Sequence, residues 1–221
     1  MTTFLRLFSW TTLFWCTACS EANDKTANSP NPPKTFVSQS NEPLTKVAKA
    51  GSITLGGGCF WCVEAVYQRI EGITKVTSGY MGGKGSNRTY KQICTGQTGH
   101  AEGVKVEFDP AKLSLEKVLA VFWKAHDPTT LNRQGADVGT QYRSAIFYHT
   151  DADKAVAEKS KQAAGKSGEF RRPIVTEIAS AGTFYKAEGY HQNYFNLNAN
   201  APYCRAVIWP KLNKLGLKFK K

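Results

Sequence analysis

The chain has no second C-x-x-C and no H-x-x-x-H to complete a zinc site begun by Cys59 and Cys62, so no resident metal is expected. Helix-turn-helix, zinc-finger and RNP-type aromatic patterns are also missing. Acidic residues are few, 17 Asp and Glu against 29 Lys and Arg, which leaves a formal net charge of +12. The lysines are scattered and densest at the C-terminal end (Lys211, Lys214, Lys218, Lys220, Lys221), so the excess reads as a solvated basic face and no nucleic acid is expected as a partner. Cysteine is sparse. Cys59, Cys62, Cys94 and Cys204 are too few, in a body of this length, to be its main source of stability, and chemistry is the better account of at least some of them. No internal repeat is present.

What remains suits one domain with tails. A length of 221 residues and a hydrophobic fraction of 41% allow a real core. Residues 1–19 read as an export signal: Arg6, then a short apolar run over 7–15 that cannot span a bilayer as a helix. Thr17-Ala18-Cys19-Ser20 resembles a bacterial lipoprotein cleavage box, with Cys19 as the lipidated first residue of the mature chain. Cys16 departs from the leucine usual in such boxes, and an ordinary cleaved secretory signal is the alternative. Residues 20–50, rich in Ser, Asn, Pro and Lys, form a flexible tether. The folded domain is expected over 51–221.

Within it, Ile53 and Leu55 mark a strand that runs into Gly56-Gly57-Gly58, and Val63, Val66, Tyr67 and Ile70 follow at helical spacing. Strands are expected over 73–80, 104–108, 144–149 and 173–179. Helices are expected after Ser114, with Leu115, Val118, Leu119 and Phe122 inward, and over 151–166. A loop of about twenty residues precedes Glu102. The order β-α-β-β-α-β predicts an α+β fold, a ferredoxin-like split βαβ plait with an added helix and strand. A long irregular C-terminal segment then wraps the domain and leaves Cys204 in a flexible-looking tail.

The strand–glycine–helix junction places Cys59 where free N–H groups and the helix dipole favour a thiolate, the reactive form of cysteine. The other reading is a buried structural thiol. Cys59-Phe60-Trp61-Cys62 also spells a C-x-x-C, as in thiol–disulfide oxidoreductases. Glu102, at the end of a Gly-rich loop and the start of a buried strand, is either a carboxyl with raised pKa able to donate a proton or an exposed loop-end glutamate. Tyr90, Tyr142 and Tyr190 read as packing residues or hydroxyl donors, Asp137 as a turn residue, His100 and His191 as structural histidines.

Together, Gly57-Gly58-Cys59-Phe60-Trp61, Ser78-Gly79-Tyr80, Thr98-Gly99-His100-Ala101-Glu102, Gly139-Thr140-Gln141-Tyr142-Arg143-Ser144 and Tyr190-His191-Gln192 resemble the peptide methionine sulfoxide reductase A family over about 51–212. The resemblance implies that Cys59 attacks the sulfoxide sulfur and that Phe60 and Trp61 hold the substrate methyl group. It also implies that Glu102 protonates the oxide, that Tyr90 and Tyr142 donate to it, and that Asp137 is the acidic residue of the substrate site. Cys204 corresponds to the distal resolving cysteine, which forms a disulfide with Cys59. No bound cofactor is implied; a thioredoxin-like protein is the electron donor, and the substrate is the S epimer, free or in proteins. Cys62 stands where many members carry glycine, either as a bystander or as a second resolving thiol, and Cys94 is expected to be structural. A monomer, exported to the periplasm, is expected. Two other readings are a thiol–disulfide oxidoreductase using Cys59 and Cys62, and a basic, membrane-tethered binding module for anionic surfaces.

Overall fold

The computed structural model describes residues 50–85 and 89–218. The signal, Cys16, Cys19 and nearly all of the tether lie outside the described residues. In β1 (Gly51–Gly57), Ile53 and Leu55 are fully buried, and the turn begins at Gly58. Gly58 has φ of 87°, and a Cβ there would strike the Gln134 side chain, so only glycine fits the turn. The chain swings at once into α1 (Phe60–Tyr67), with Cys59 as N-cap. There follow β2 (Ile73–Met81), α2 (Tyr90–Ile93), β3 (Ala101–Phe108), α3 (Leu115–Ala125), a small hairpin of β4 (Arg133–Gln134) and β5 (Asp137–Val138), β6 (Ser144–Tyr148) and α4 (Asp151–Lys166). The chain closes with β7 (Glu177–Ser180), β8 (Tyr185–Lys186), α5 (Tyr194–Leu197), a π-helical turn (Cys204–Ile208) and α6 (Trp209–Lys214).

Six strands form one sheet in the order β7-β6-β1-β3-β2-β8. Neighbours are antiparallel except β6 and β7. The register sets Leu55 opposite Val104 on one side and Ile146 on the other, and Ile53 opposite Val106. These apolar residues lie in the main core with Val63, Val66, Leu119 and Phe122. A smaller cluster of Met81, Ala101, Ala145 and Phe147 forms separately. The fold is thus mixed α and β with a predominantly antiparallel sheet, and β1 at its centre delivers the glycine turn and Cys59 to one sheet end.

α3 begins where Ser114 accepts the Lys117 N–H, and it buries Val118, Leu119 and Phe122 as its periodicity predicts. α4 covers 151–166 but buries only Ala157, in keeping with its polar composition. The strand expected over 173–179 starts later, at Glu177, because the preceding stretch turns away to another partner: the Val175 N–H goes to the Pro128 carbonyl. The long loop before Glu102 is not structureless. Thr89 and Gln92 make a reciprocal capping box that starts α2, a signal present in the sequence as Thr followed three residues later by Gln.

The C-terminal segment corrects another expectation. Cys204 does not sit in a flexible tail; it is 0% exposed, and Cys204, Ile208 and Leu212, four residues apart, are all buried in the core. That spacing is a helical stripe that the surrounding Asn and Pro residues obscure. Lys211 Nζ donates to the Ala125 carbonyl at 2.7 Å and ties α6 to the C-terminal end of α3, where a cation suits the dipole.

Glu64, absent from the sequence-derived candidates, holds the C-terminal segment under α1. Its carboxylate accepts the Asn193 N–H at 2.8 Å and the Tyr194 N–H at 3.1 Å. Burial is the largest influence on this carboxyl and raises its pKa, while the two N–H groups act the other way. Glu64→Ala removes both acceptors and is expected to cost about 1–3 kcal/mol in urea unfolding. The Trp61 fluorescence should also change, since Tyr194 stacks on that ring at 3.7 Å.

Candidate active site

Cys59 is 8% exposed and Cys62 3%, at the N-cap and in the first turn of α1, and the two thiols interact with each other. The expectation that the helix start lowers the Cys59 pKa is not met. Burial first, and then Cys62 and Glu102, push it well above the ordinary thiol value. Cys62 is drawn down to about 7, chiefly by the hydrogen bond from Cys59, with the Lys211 charge assisting against burial. The two thiols titrate as a coupled pair, which a single-residue reading could not anticipate.

Glu102 is brought to the same turn by β3. It is 1% exposed, and its Oε2 accepts the Phe60 N–H at 3.2 Å. Its Oε1 is buried with no hydrogen-bond partner among the described residues. Burial raises its pKa to about 8, against the pull of the Phe60 N–H and with help from the charges of Asp137 and Cys62. The exposed loop-end reading of Glu102 is therefore excluded. The carboxyl is protonated at neutral pH.

Tyr90 and Tyr142 are half-buried, and the pKa of each is raised by burial first and then by the Glu102 charge, so both stay protonated donors. Tyr142 also lies within reach of the Cys59 charge. Tyr90 is positioned by Glu188, which accepts the Tyr90 N–H at 2.8 Å and the Tyr80 hydroxyl at 2.9 Å. Tyr190, by contrast, is 62% exposed.

The aromatic residues gather beside the thiols. Phe60 is buried against Tyr80, Tyr90 and His191, with ring centroids at 5.9, 6.5 and 4.9 Å. Trp61 stays partly exposed, stacked on Tyr194, its indole N–H donated to His191 Nδ1 at 3.1 Å. His191 thus has the structural role expected of it. Its ring also lies 4.4 Å from the Tyr90 ring. Gln192 accounts for the neighbouring motif: it accepts the Ser78 N–H and donates to the Ser78 and Ala187 carbonyls, clamping the segment to β2.

Asp137, on β5, accepts the Tyr203 hydroxyl at 2.8 Å, and that hydroxyl lies 3.7 Å from Cys62 Sγ. Tyr203 was missed, although it directly precedes Cys204. Glu188, Glu64 and Tyr194 were missed too, and no local pattern singles them out, since only the fold brings them to the site. Cys94, expected to be structural, is exposed at the C-terminal end of α2, close to Tyr90.

A cleft of about 660 Å³ lies elsewhere, between the end of α3 and α6, with Lys124, Arg172, Lys211 and Lys214 on its walls. None of the candidate residues lines it. The Arg172–Asp127 pair in that cleft is exposed, at 3.3 Å, and contributes little.

A buried acid, a thiol pair at a helix start and an aromatic wall are general redox furniture; the motif order around them is specific. The sequence model described as peptide methionine sulfoxide reductase matches residues 51–221. The chain belongs to the peptide methionine sulfoxide reductase family. Among its relatives is a peptide methionine sulfoxide reductase of Rhodopirellula baltica, 54% identical over 166 residues, which cover 75% of this chain and 85% of the relative. Two solved structures are similar. The reduced form of Mxr1 from Saccharomyces cerevisiae has a TM-score of 0.66 at 38% identity, over 71% of this chain and 90% of that one. Methionine sulfoxide reductase A of Corynebacterium diphtheriae has a TM-score of 0.59 at 34% identity, over 67% and 75%.

Proposed function

We propose that the protein reduces the S epimer of methionine sulfoxide, free or within oxidised proteins, to methionine. The observation that carries this reading is a protonated, buried Glu102 beside the Cys59 thiol under an aromatic wall. Phe60 and Trp61 receive the substrate methyl group, which an apolar surface suits. Tyr90 and Tyr142 donate to the sulfoxide oxygen, and Asp137 acts through the Tyr203 hydroxyl that it orients. Cys59 Sγ attacks the sulfoxide sulfur while Glu102 gives its proton to the oxygen, making a better leaving group of an oxide. The hydroxyl passes from the substrate sulfur to Cys59 Sγ, the bond between the two sulfurs breaks, methionine departs, and Cys59 is left as a sulfenic acid. A disulfide follows, with Cys204 as the distal resolving thiol, and a thioredoxin-like dithiol restores the cysteines without a bound cofactor. Incubating the full chain with methionine S-sulfoxide and dithiothreitol is expected to yield methionine; none formed, or equal yield from the R epimer, refutes the reading.

The domain is read as 51–221 behind a signal at 1–19 and a tether at 20–50. Its four central strands, in the order β6-β1-β3-β2 and antiparallel throughout, support a ferredoxin-like split βαβ plait extended by β7 and β8. The Thr17-Ala18-Cys19 box supports export to the periplasm with a lipid anchor on Cys19, and with it a periplasmic thioredoxin-fold donor. The protein is read as a monomer. A diacyl or triacyl mass on Cys19 in the mature chain is the expected result; an unmodified N-terminus further along refutes the anchor.

A further inference from the structure

The cleft of about 660 Å³ between the end of α3 and α6 takes no part in the chemistry above, yet three separate segments bring cations to it. Lys124 comes from the last turn of α3, Lys211 and Lys214 stand three residues apart on α6, and Arg171 and Arg172 follow α4 in the chain. Against these five stand only Asp127 and Glu169, and His126 in the same wall is neutral at pH 7, its pKa held down to about 4 by burial. The cleft thus carries an excess of three positive charges. Asp127 is already engaged: Arg172 lies 3.3 Å from its Oδ2, and Thr129 donates to its Oδ1. Among the described residues, Lys124, Arg171, Lys211 and Lys214 make no ion pair, although Lys211 donates one N–H to the Ala125 carbonyl. Folding therefore gathers like charges into one concavity, whose repulsion a bound anion relieves and whose shape focuses the field on that anion.

We propose that this cleft binds a phosphate group, borne either by a soluble phosphate compound or by the headgroup of an anionic phospholipid. Donors converging from three segments suit a tetrahedral group with several free oxygens, whereas one guanidinium fork is enough for a planar carboxylate. Arg171 offers paired N–H groups to such oxygens, and Lys124, Lys211 and Lys214 act as point charges around them. The volume falls in the range of clefts that hold small organic ligands, so the phosphate is carried by a larger molecule. Phe170, half-buried in the same wall, gives the rest of that molecule an apolar surface. The site is separate from the thiols, Glu102 and the aromatic wall, and it does not depend on the reductase reading.

The full chain should be titrated by calorimetry, at low ionic strength, with pyrophosphate and with glycerophosphoglycerol, the soluble headgroup of an anionic lipid. Saturable binding of at least one compound is expected. It should weaken roughly tenfold or more in the double variant Arg171→Ser/Lys214→Ser, which removes two charge-assisted contacts at exposed positions. Tighter binding of the diester, despite its lower charge, supports the site and identifies the lipid headgroup. Tighter binding of pyrophosphate supports it and identifies a soluble phosphate compound. Methionine formation by the double variant should match that of the wild type, since neither residue belongs to the active site. Binding of neither compound, an affinity unchanged in the double variant, or binding of a glutamate-rich peptide in place of both overturns the proposal.

Discussion

Cys59→Ser is expected to lower methionine formation by about 10³-fold or more, measured as product released from methionine S-sulfoxide with dithiothreitol. Serine keeps the N-cap geometry, and its hydroxyl is a better cap than a thiol, so the helix should hold and the loss should be chemical. The far-UV spectrum and the unfolding midpoint should be close to those of the wild type. Turnover in Cys59→Ser above a tenth of wild type would require another nucleophile. Cys62 is then the first to suspect, because it is the neighbouring thiol in the first turn of α1 and its pKa is drawn down to about 7.

Glu102→Gln is expected to reduce the rate by about 10²- to 10⁴-fold and to change its pH dependence. With a pKa of about 8, Glu102 is the acid form below that value and loses its donor proton above it, so the wild-type rate should fall as pH rises through about 8. Glutamine has no proton to give, and that alkaline limb should disappear. Disulfide exchange through Cys59 and Cys62 would not need the carboxyl; if the variant exchanges model disulfides freely and reduces sulfoxide as fast as wild type, the thiol–disulfide oxidoreductase is the better reading. Stability moves the other way. The folded pKa lies above the ordinary value of about 4.3, so the folded state holds the proton more tightly than the unfolded chain. Stability should therefore decline as pH rises from about 4.3 to about 8, and remain low beyond it. Glu102→Gln, still able to accept the Phe60 N–H, should be free of that decline and melt higher than wild type at pH 9. A parallel loss of stability in the two chains would contradict the buried acid.

Much of this protein was legible from local pattern. Ile53 and Leu55 before three glycines, and Val63, Val66 and Tyr67 after them, determine the strand–turn–helix that presents Cys59, because period and glycine chemistry act within a few residues. The ordered motifs determine the family. Tertiary structure alone decided the electrical state of the site. Cys59 at a helix start reads as a ready thiolate, yet burial and the neighbouring Cys62 and Glu102 push its pKa up. Glu102 reads as an exposed loop end or a buried acid, and only its burial against the start of α1, where it accepts the Phe60 N–H, selects the second. Glu64, Glu188 and Tyr203 reach the site from distant positions, through partners 129, 98 and 66 residues away, which no local spacing encodes. The sequence by itself determined which groups are available and where the nucleophile stands. Solvent exclusion and long-range contacts, which exist only once the chain is folded, decided which of them hold protons.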